Sequence, residues 1–309
     1  DKLLPMNSGA EAVETALKLS RKWAYQVKGV EENKAIIITC NNNFHGRTIS
    51  IISYSTDDNA KKEYGPYTQG FESINYNDVE ALKNVLEAKG NNIAAFLIEP
   101  IQGEAGVIVP DEGYLKKCYD LCKQYNLLFV ADEIQTGIAR TGKMLCCDHE
   151  NIRPEIVILG KAISGGVLPV SAILCDDEIM MTVSPGQHGS TFGGFPLACK
   201  VASAAIKVVL DEDLAEKAEK LGNIFRNEMS HVNSPFIKLI RGKGLLNAIE
   251  IQPHNGKNAW DVCIEMAKNG LLAKPTHQNI IRFAPPLVIS EEQLKEGVDI
   301  IIKSLKSLE

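Results

Sequence analysis

The chain has 309 residues, 45% hydrophobic and 23% charged, which is the balance of a globular protein with room for two domains. Its net charge of -6 and the lack of dense Lys/Arg clusters argue against a nucleic-acid partner, while leaving small anions open. No apolar run is long enough to span a bilayer and the start does not read as a signal or transit sequence, so a membrane role is not expected. The eight cysteines lack C-x-x-C spacing and sit mostly in apolar or helical stretches, which points to reduced thiols and no metal site; vicinal Cys146-Cys147 with His149 nearby is the one place a metal or redox role could be sought.

Helix and strand signals alternate from the first residues. After DKLLPM, Asn7-Ser8-Gly9 opens a helix with Ala12, Ala16, Leu19 and Trp23 on one face and Glu11 and Glu14 in the first turn. The small residues Ser8, Gly9 and Ala10 suit either an ordinary N-cap or a cup for a phosphate, since first-turn N–H groups lack intrahelical acceptors. AIIITC reads as a buried strand that empties into the turn Phe44-His45-Gly46-Arg47, delivering an aromatic ring and a guanidinium at the strand's end. Either these stack on a planar ring and bind a carboxylate, or Phe44 is core and Arg47 pairs with a surface acid.

A helix is expected over about 78–88, then the strand IAAFLIEP and a glycine-punctuated loop carrying Gln102 and Glu104. A helix over about 113–125 precedes the strand ending in Asp132-Glu133, and IVIL then runs into Gly160-Lys161. Such alternation predicts a doubly wound α/β domain with a mainly parallel sheet, in which strand ends of one polarity line a ligand crevice. A lysine and a carboxylate at two such ends are what pyridoxal 5'-phosphate (PLP) chemistry needs: the lysine forms a Schiff base with the aldehyde and the acid keeps the pyridine nitrogen protonated.

GIARTGKM (137–144) imitates a nucleotide-binding P-loop, but Met144 stands where a magnesium-binding hydroxyl belongs and no helical stripe follows, so a P-loop hydrolase is set aside. SPGQHGSTFGGFP offers Ser190 and Thr191 to a phosphate. A long helix follows Pro196, and a boundary near Asp211 divides a large domain (1–211) from a small α/β domain (212–309). In the latter, IKLIRGKGLLNAIEIQ reads as a strand, 259–268 as a helix, Leu271 and Ile281 as strand-like, and Ser290-x-x-Gln293 as the capping box of a closing helix with Leu294, Val298, Ile301 and Leu305 inward. Arg282, in an apolar strand, suggests a carboxylate ligand or an ion pair.

With NSGAEAVETALKLSRKW, FHGRT, EPIQGEAGVIVP, LLFVADEIQTGIARTGK, LGKAISGG, GQHGSTFGG and IIRFAPPL in hand, the chain resembles the class III, fold type I PLP-dependent aminotransferases over essentially its whole length. GLLAKPTH with IRFAPPL resembles the members that act on ornithine. The resemblance implies Lys161 as the Schiff-base and proton-shuttling lysine, Asp132 on the pyridine nitrogen and Gln135 on the ring hydroxyl. It further implies Ser8, Gly9 and Ala10 at the phosphate, Phe44 stacked on the ring, and Ser190-Thr191 at the phosphate of a neighbouring subunit's cofactor in a homodimer or higher homo-oligomer. Arg282 would bind the α-carboxylate of glutamate or 2-oxoglutarate and Arg47 a second carboxylate, with Glu104 pairing Arg282 when ornithine is bound. The implied reaction is δ-transamination of ornithine with 2-oxoglutarate; a related ω-aminotransferase acting on acetylornithine or 4-aminobutyrate, or an inactive structural subunit, are the alternatives. Family members of this kind suggest the mitochondrial matrix, with the cytosol as the alternative. Phe195 stands where these enzymes usually carry Asn, and Leu168 where Tyr is frequent.

Overall fold

The computed structural model describes residues 1–309 and resolves into two compact units. The first comprises Asp1–Pro100, Pro110–Gly137 and Cys147–Lys207; the second comprises Ile101–Val109, Ile138–Cys146 and Val208–Glu309.

In the first unit the strands are β1 (Lys2–Met6), β2 (Ile36–Cys40), β3 (Phe71–Ile74), β4 (Ile93–Ile98), β5 (Leu128–Asp132), β6 (Ile156–Leu159) and β7 (Ser171–Cys175). They form one sheet in the order β1-β7-β6-β5-β4-β2-β3. All neighbours from β6 to β3 are parallel, and β7 runs antiparallel to both β6 and β1. Two reversals leave β1 pointing the same way as the parallel set. The carboxyl ends of β1, β2, β4, β5 and β6 therefore share one edge of the sheet.

The central strands β4 and β6, and β5 up to Asp132, are unbroken apolar runs because both faces are covered. On one face Ile37, Ala95, Val130, Ile158 and Ile173 pack with Ala12, Val13, Ala16, Leu19 and Trp23 of α1 (Gly9–Trp23). On the other, Ile38, Phe96, Phe129 and Ala131 pack with Leu82 and Leu86 of α2 (Val79–Lys89) and with Leu115, Cys118 and Cys122 of α3 (Tyr114–Gln124). Adjacent residues Ile37 and Ile38, or Phe129 and Val130, thus enter opposite cores, as the two-residue strand repeat requires. α4 (Pro196–Asp211) follows.

The second unit is built on α5 (Leu214–Ser230), β8 (Ile237–Lys243), β9 (Leu246–Ile251), α6 (Ala259–Lys268), β10 (Pro275–Thr276), β11 (Ile280–Phe283) and α7 (Glu291–Lys306). Its antiparallel sheet has the order β10-β11-β9-β8. Phe225, Ile249, Val262, Met266, Leu294, Val298, Ile301 and Leu305 share its core, so the inward face expected of the closing helix is buried, and Ser290 caps that helix with Gln293 as its reciprocal partner.

Two readings of this unit change. The run IKLIRGKGLLNAIEIQ is a hairpin of two strands, because the chain reverses at Gly244 with φ +53°. A Cβ there would come within 2.4 Å of the Thr141 carbonyl carbon, so the turn is tight against that segment and needs glycine. The strand-like segment at Leu271 is not a strand: the Leu271 N–H donates to the Met266 carbonyl at 2.9 Å and helps terminate α6.

Candidate active site

Four strand ends of the first unit deliver chemistry to the shared edge. Asp132 is the last residue of β5 and registers with Ile158 of β6, three residues before Lys161. Lys161 is exposed and holds a left-handed backbone, φ +43°, immediately after Gly160. A lysine in that conformation is strained, and such strain persists where the surroundings fix it.

Asp132 is buried, with both carboxylate oxygens engaged from the protein side. Oδ1 accepts the Ile134 N–H at 3.1 Å, and Oδ2 accepts from His45 Nδ1 at 2.6 Å. His45 enters from the turn after β2 and is itself fully buried, while its Nε2 has no hydrogen-bond partner. Burial alone would push the imidazolium down, but the hydrogen bond to Asp132, the charge of Asp132 and that of Glu99 outweigh it, so its pKa is raised. The Asp132 carboxylate thus favours the protonated form of its His45 partner. The neighbouring Phe44 N–H donates to Glu99 Oε2 at 3.0 Å, which pins the same turn to the end of β4.

Phe44 is 38% exposed, so it is not a core residue. Arg47 is exposed and its guanidinium carbon lies 5.4 Å from the Phe44 ring centroid, a cation–π contact in place of the surface-acid pairing considered from sequence. Gln135 follows Asp132 by three residues on the turn leaving β5. Glu133, its neighbour, is buried for a structural reason: Oε1 accepts the Cys147 N–H at 2.8 Å and Oε2 accepts the Thr136 hydroxyl.

At the end of β1, Ser8 caps α1, and Glu11 completes a capping box by accepting the Asn7 and Ser8 N–H groups at 2.9 and 2.8 Å. Burial raises the Glu11 pKa, but these backbone donors and the Asn7 and Ser8 side chains lower it further, leaving a net depression. The N–H groups of Gly9 and Ala10 remain without intrahelical acceptors, as first-turn amides must. The two readings of this turn are thus compatible: an N-cap is formed, and two amides still face outward at a positive helix end. Ser190 and Thr191 line the same roughly 620 Å³ cavity as Ser8 and Ala10. Their loop is tethered to α1 by Asn7 Nδ2 donating to Ser190 Oγ at 2.7 Å and by the Thr15 hydroxyl against His188 Nε2 at 2.8 Å.

In the second unit Arg282, on β11, donates from Nη1 to Glu104 Oε1 at 2.8 Å. The pair is 23% and 32% exposed, so it is half-desolvated and accessible. Arg282 lines a cavity of about 680 Å³ together with Asn247, Lys274, Thr276 and Phe283. Cys146 and Cys147 are buried, and no three His, Cys, Asp or Glu side chains group as metal ligands. His45 is the main site residue that sequence reasoning passed over, since FHGRT drew attention to the ring and the guanidinium; a histidine following an aromatic at a strand end was the available signal.

A lysine at one strand end, a buried hydrogen-bonded carboxylate at the next, an aromatic ring beside them and free helix-start amides fit PLP in each part: aldehyde, pyridinium, ring face and phosphate. Fold and site together define a PLP-dependent transferase. The family model for aminotransferase class-III matches residues 1–305. The ornithine aminotransferase, mitochondrial, of Rattus norvegicus is 56% identical over 307 residues, covering 99% of this chain and 70% of the relative. A crystal structure of the ornithine aminotransferase from Toxoplasma gondii ME49 superposes with a TM-score of 0.97 at 48% identity, covering 99% of this chain and 73% of that one. The acetylornithine aminotransferase from Elizabethkingia anophelis superposes at 0.89 with 56% identity, covering 99% and 74%. The chain belongs to the class-III aminotransferases, enzymes that use PLP.

Proposed function

We propose that this protein transfers the δ-amino group of L-ornithine to 2-oxoglutarate, giving glutamate 5-semialdehyde and glutamate. The observation that carries the reading is the Arg282–Glu104 pair at 2.8 Å. PLP, when bound, supplies the aldehyde and electron sink through which an amino group is taken from one substrate and given to the next. Asp132, held by His45 and the Ile134 amide, would present its carboxylate to the pyridine nitrogen. Gln135 serves the ring hydroxyl, Phe44 the ring face, and Ser8, Gly9 and Ala10 the phosphate. Lys161 Nζ would hold the cofactor aldehyde and would serve as the base for the proton on the amine-bearing carbon of the substrate.

The substrate residues account for two unlike substrates. With Glu104 on Arg282 the guanidinium is neutralised, so the α-carboxylate of ornithine has no cation to seat it in the orientation that would present the α-amine, and the δ-amine reacts. When Glu104 turns away, Arg282 and Arg47 provide two cations for the two carboxylates of 2-oxoglutarate. The 56% identity to an acetylornithine aminotransferase favours a second reading, in which the amine donor is acetylornithine. Ser190 and Thr191 are proposed to reach the phosphate of a second subunit in a homodimer, with the mitochondrial matrix as the compartment, following the relatives from rat and Drosophila melanogaster named as mitochondrial.

The test is the visible absorbance of the purified chain with PLP. Ornithine is expected to bleach the band and 2-oxoglutarate to restore it, and Lys161→Ala should never show it. Bleaching by acetylornithine and not by ornithine would move the second reading to the front, and the absence of any band would remove both.

A further inference from the structure

The geometry points to Arg241, with Thr276, as positioning residues for the Glu104 switch: they fix the backbone of the Glu104 loop so that only the Glu104 side chain moves between the states that accept ornithine and 2-oxoglutarate. The inference rests on the proposed role of Glu104 and concerns residues of the second unit alone.

Glu104 lies in the segment Ile101–Val109, which has no helix or long strand to stiffen it. Its own hydrogen bonds are local: Gln102 and Ile108 exchange backbone bonds at 3.2 and 3.0 Å, and the Gly103 carbonyl accepts from Gly106 and Val107 at 3.1 and 3.2 Å. The backbone is also held in an unfavourable form. Gly106 has φ +111° and Val107 φ +57°, a left-handed value that a β-branched residue resists. Such a loop needs support from outside to persist.

That support comes from two side chains. Arg241 on β8 donates from Nε to the carbonyls of Gly106 at 3.0 Å and Val107 at 3.1 Å. Its Nη1 donates to Glu250 Oε2 at 2.9 Å, and Glu250 Oε1 accepts from Lys238 at 2.6 Å. Arg241 and Glu250 are each 15% exposed, so the guanidinium is aimed at the loop by a partly desolvated anchor. On the other side the Thr276 hydroxyl donates to the Glu104 carbonyl at 2.8 Å. Beneath, Val107 is fully buried with Ile101, Leu246, Ala248 and Ile280, and a Cβ on Gly106 would meet Ile280 Cδ1 at 2.5 Å. These contacts hold main chain or core, and the Glu104 carboxylate itself accepts from Arg282 Nη1. Reaction specificity follows: if the main chain drifts, Glu104 no longer neutralises Arg282, and the α-carboxylate of ornithine can occupy the guanidinium and present the α-amine.

Two readouts test this. In the purified chain, Arg241→Gln should speed hydrogen exchange of the Gly103–Ile108 amides by about tenfold, the effect of losing a charge-assisted hydrogen bond, and Thr276→Val by about fivefold, that of a neutral one, with exchange elsewhere unchanged. In the PLP-loaded enzyme both should raise KM for ornithine and increase the share of α-transaminated product, with KM for 2-oxoglutarate little changed; Glu104→Gln is the control. If Glu104→Gln leaves the product ratio unaltered, the role of Glu104 fails and the inference with it. If Glu104→Gln alters the ratio while Arg241→Gln and Thr276→Val match wild type in both exchange and product ratio, the inference alone is overturned. Thr276→Val removes one hydroxyl, so it reports even if Arg241→Gln does not fold.

Discussion

Asp132 has two oxygens and two protein donors, and only one donor is a side chain that can be changed. His45 Nδ1 supplies it at 2.6 Å from a fully buried position. A hydrogen bond to a charged group is worth about 1.5–3 kcal/mol, so its loss should weaken PLP binding by roughly 10- to 100-fold through a misplaced carboxylate. His45→Phe should show that loss in a PLP titration. His45→Asn, whose amide nitrogen can stand where Nδ1 stands, should recover part of it, and equal affinity in all three would sink the role. The same pair sets a pH dependence in the cofactor-free chain. The folded pKa of His45 is raised above the unfolded value of about 6.5, so its stabilisation is complete below about 6.5 and is lost as pH rises through the folded value. Thermal midpoints should therefore fall over that rise in the wild type more than in His45→Asn.

At the scale of elements, helix starts were legible because a cap is local. Ser8 with Glu11 and Ser290 with Gln293 are three residues apart in sequence and form reciprocal caps in the fold. The hairpin of β8 and β9 was not, since both sides of Gly244 are apolar and the turn is fixed against Thr141, about a hundred residues earlier. Helix ends show the same limit. Lys28, just beyond α1, donates to the carbonyls of Gly90 at 2.9 Å, Ile93 at 2.7 Å and Tyr125 at 3.2 Å. Gly90 and Tyr125 are the C-caps of α2 and α3, so one ammonium satisfies two helix ends and the first carbonyl of β4. Burial pushes its pKa down to about 8, yet three carbonyl acceptors favour the charged form, and we expect it to be largely protonated at pH 7. Lys28→Met keeps the aliphatic stem and leaves the carbonyls short of a donor. A loss of about 1–3 kcal/mol in urea unfolding is expected; an unchanged midpoint and slope would show that solvent serves those carbonyls equally well.

Across the whole molecule, what the sequence disclosed was set by strand polarity. Lys161 and Asp132 could be placed on one edge because each closes an apolar run, whereas Arg241 reaches a loop 135 residues away and left no local trace. The proposed homodimer makes its prediction at this scale. The first unit exposes Leu3, Val167, Met181, Phe192, Phe195 and Leu197, with Phe192 67% exposed and edge-on to Phe195 at 6.3 Å. Phe192 and Phe195 flank Gly193 and Gly194, which pack against Pro5 of β1, so β1 and the Ser190–Thr191 loop form one apolar margin. Exposed aromatic rings in contact, as Phe192 and Phe195 are, suit an interaction surface. A second copy of the chain is the expected occupant, which would carry Ser190 and Thr191 to a neighbour's phosphate. Light scattering on the purified protein should then give twice the 33.8 kDa of the chain. Phe192→Glu with Leu197→Glu should halve that mass and weaken PLP binding together, because the hydroxyls would leave with the partner. Halved mass with unchanged PLP affinity would mean that each chain holds its cofactor unaided, and would return Ser190 and Thr191 to the cavity they line beside Ser8 in their own chain.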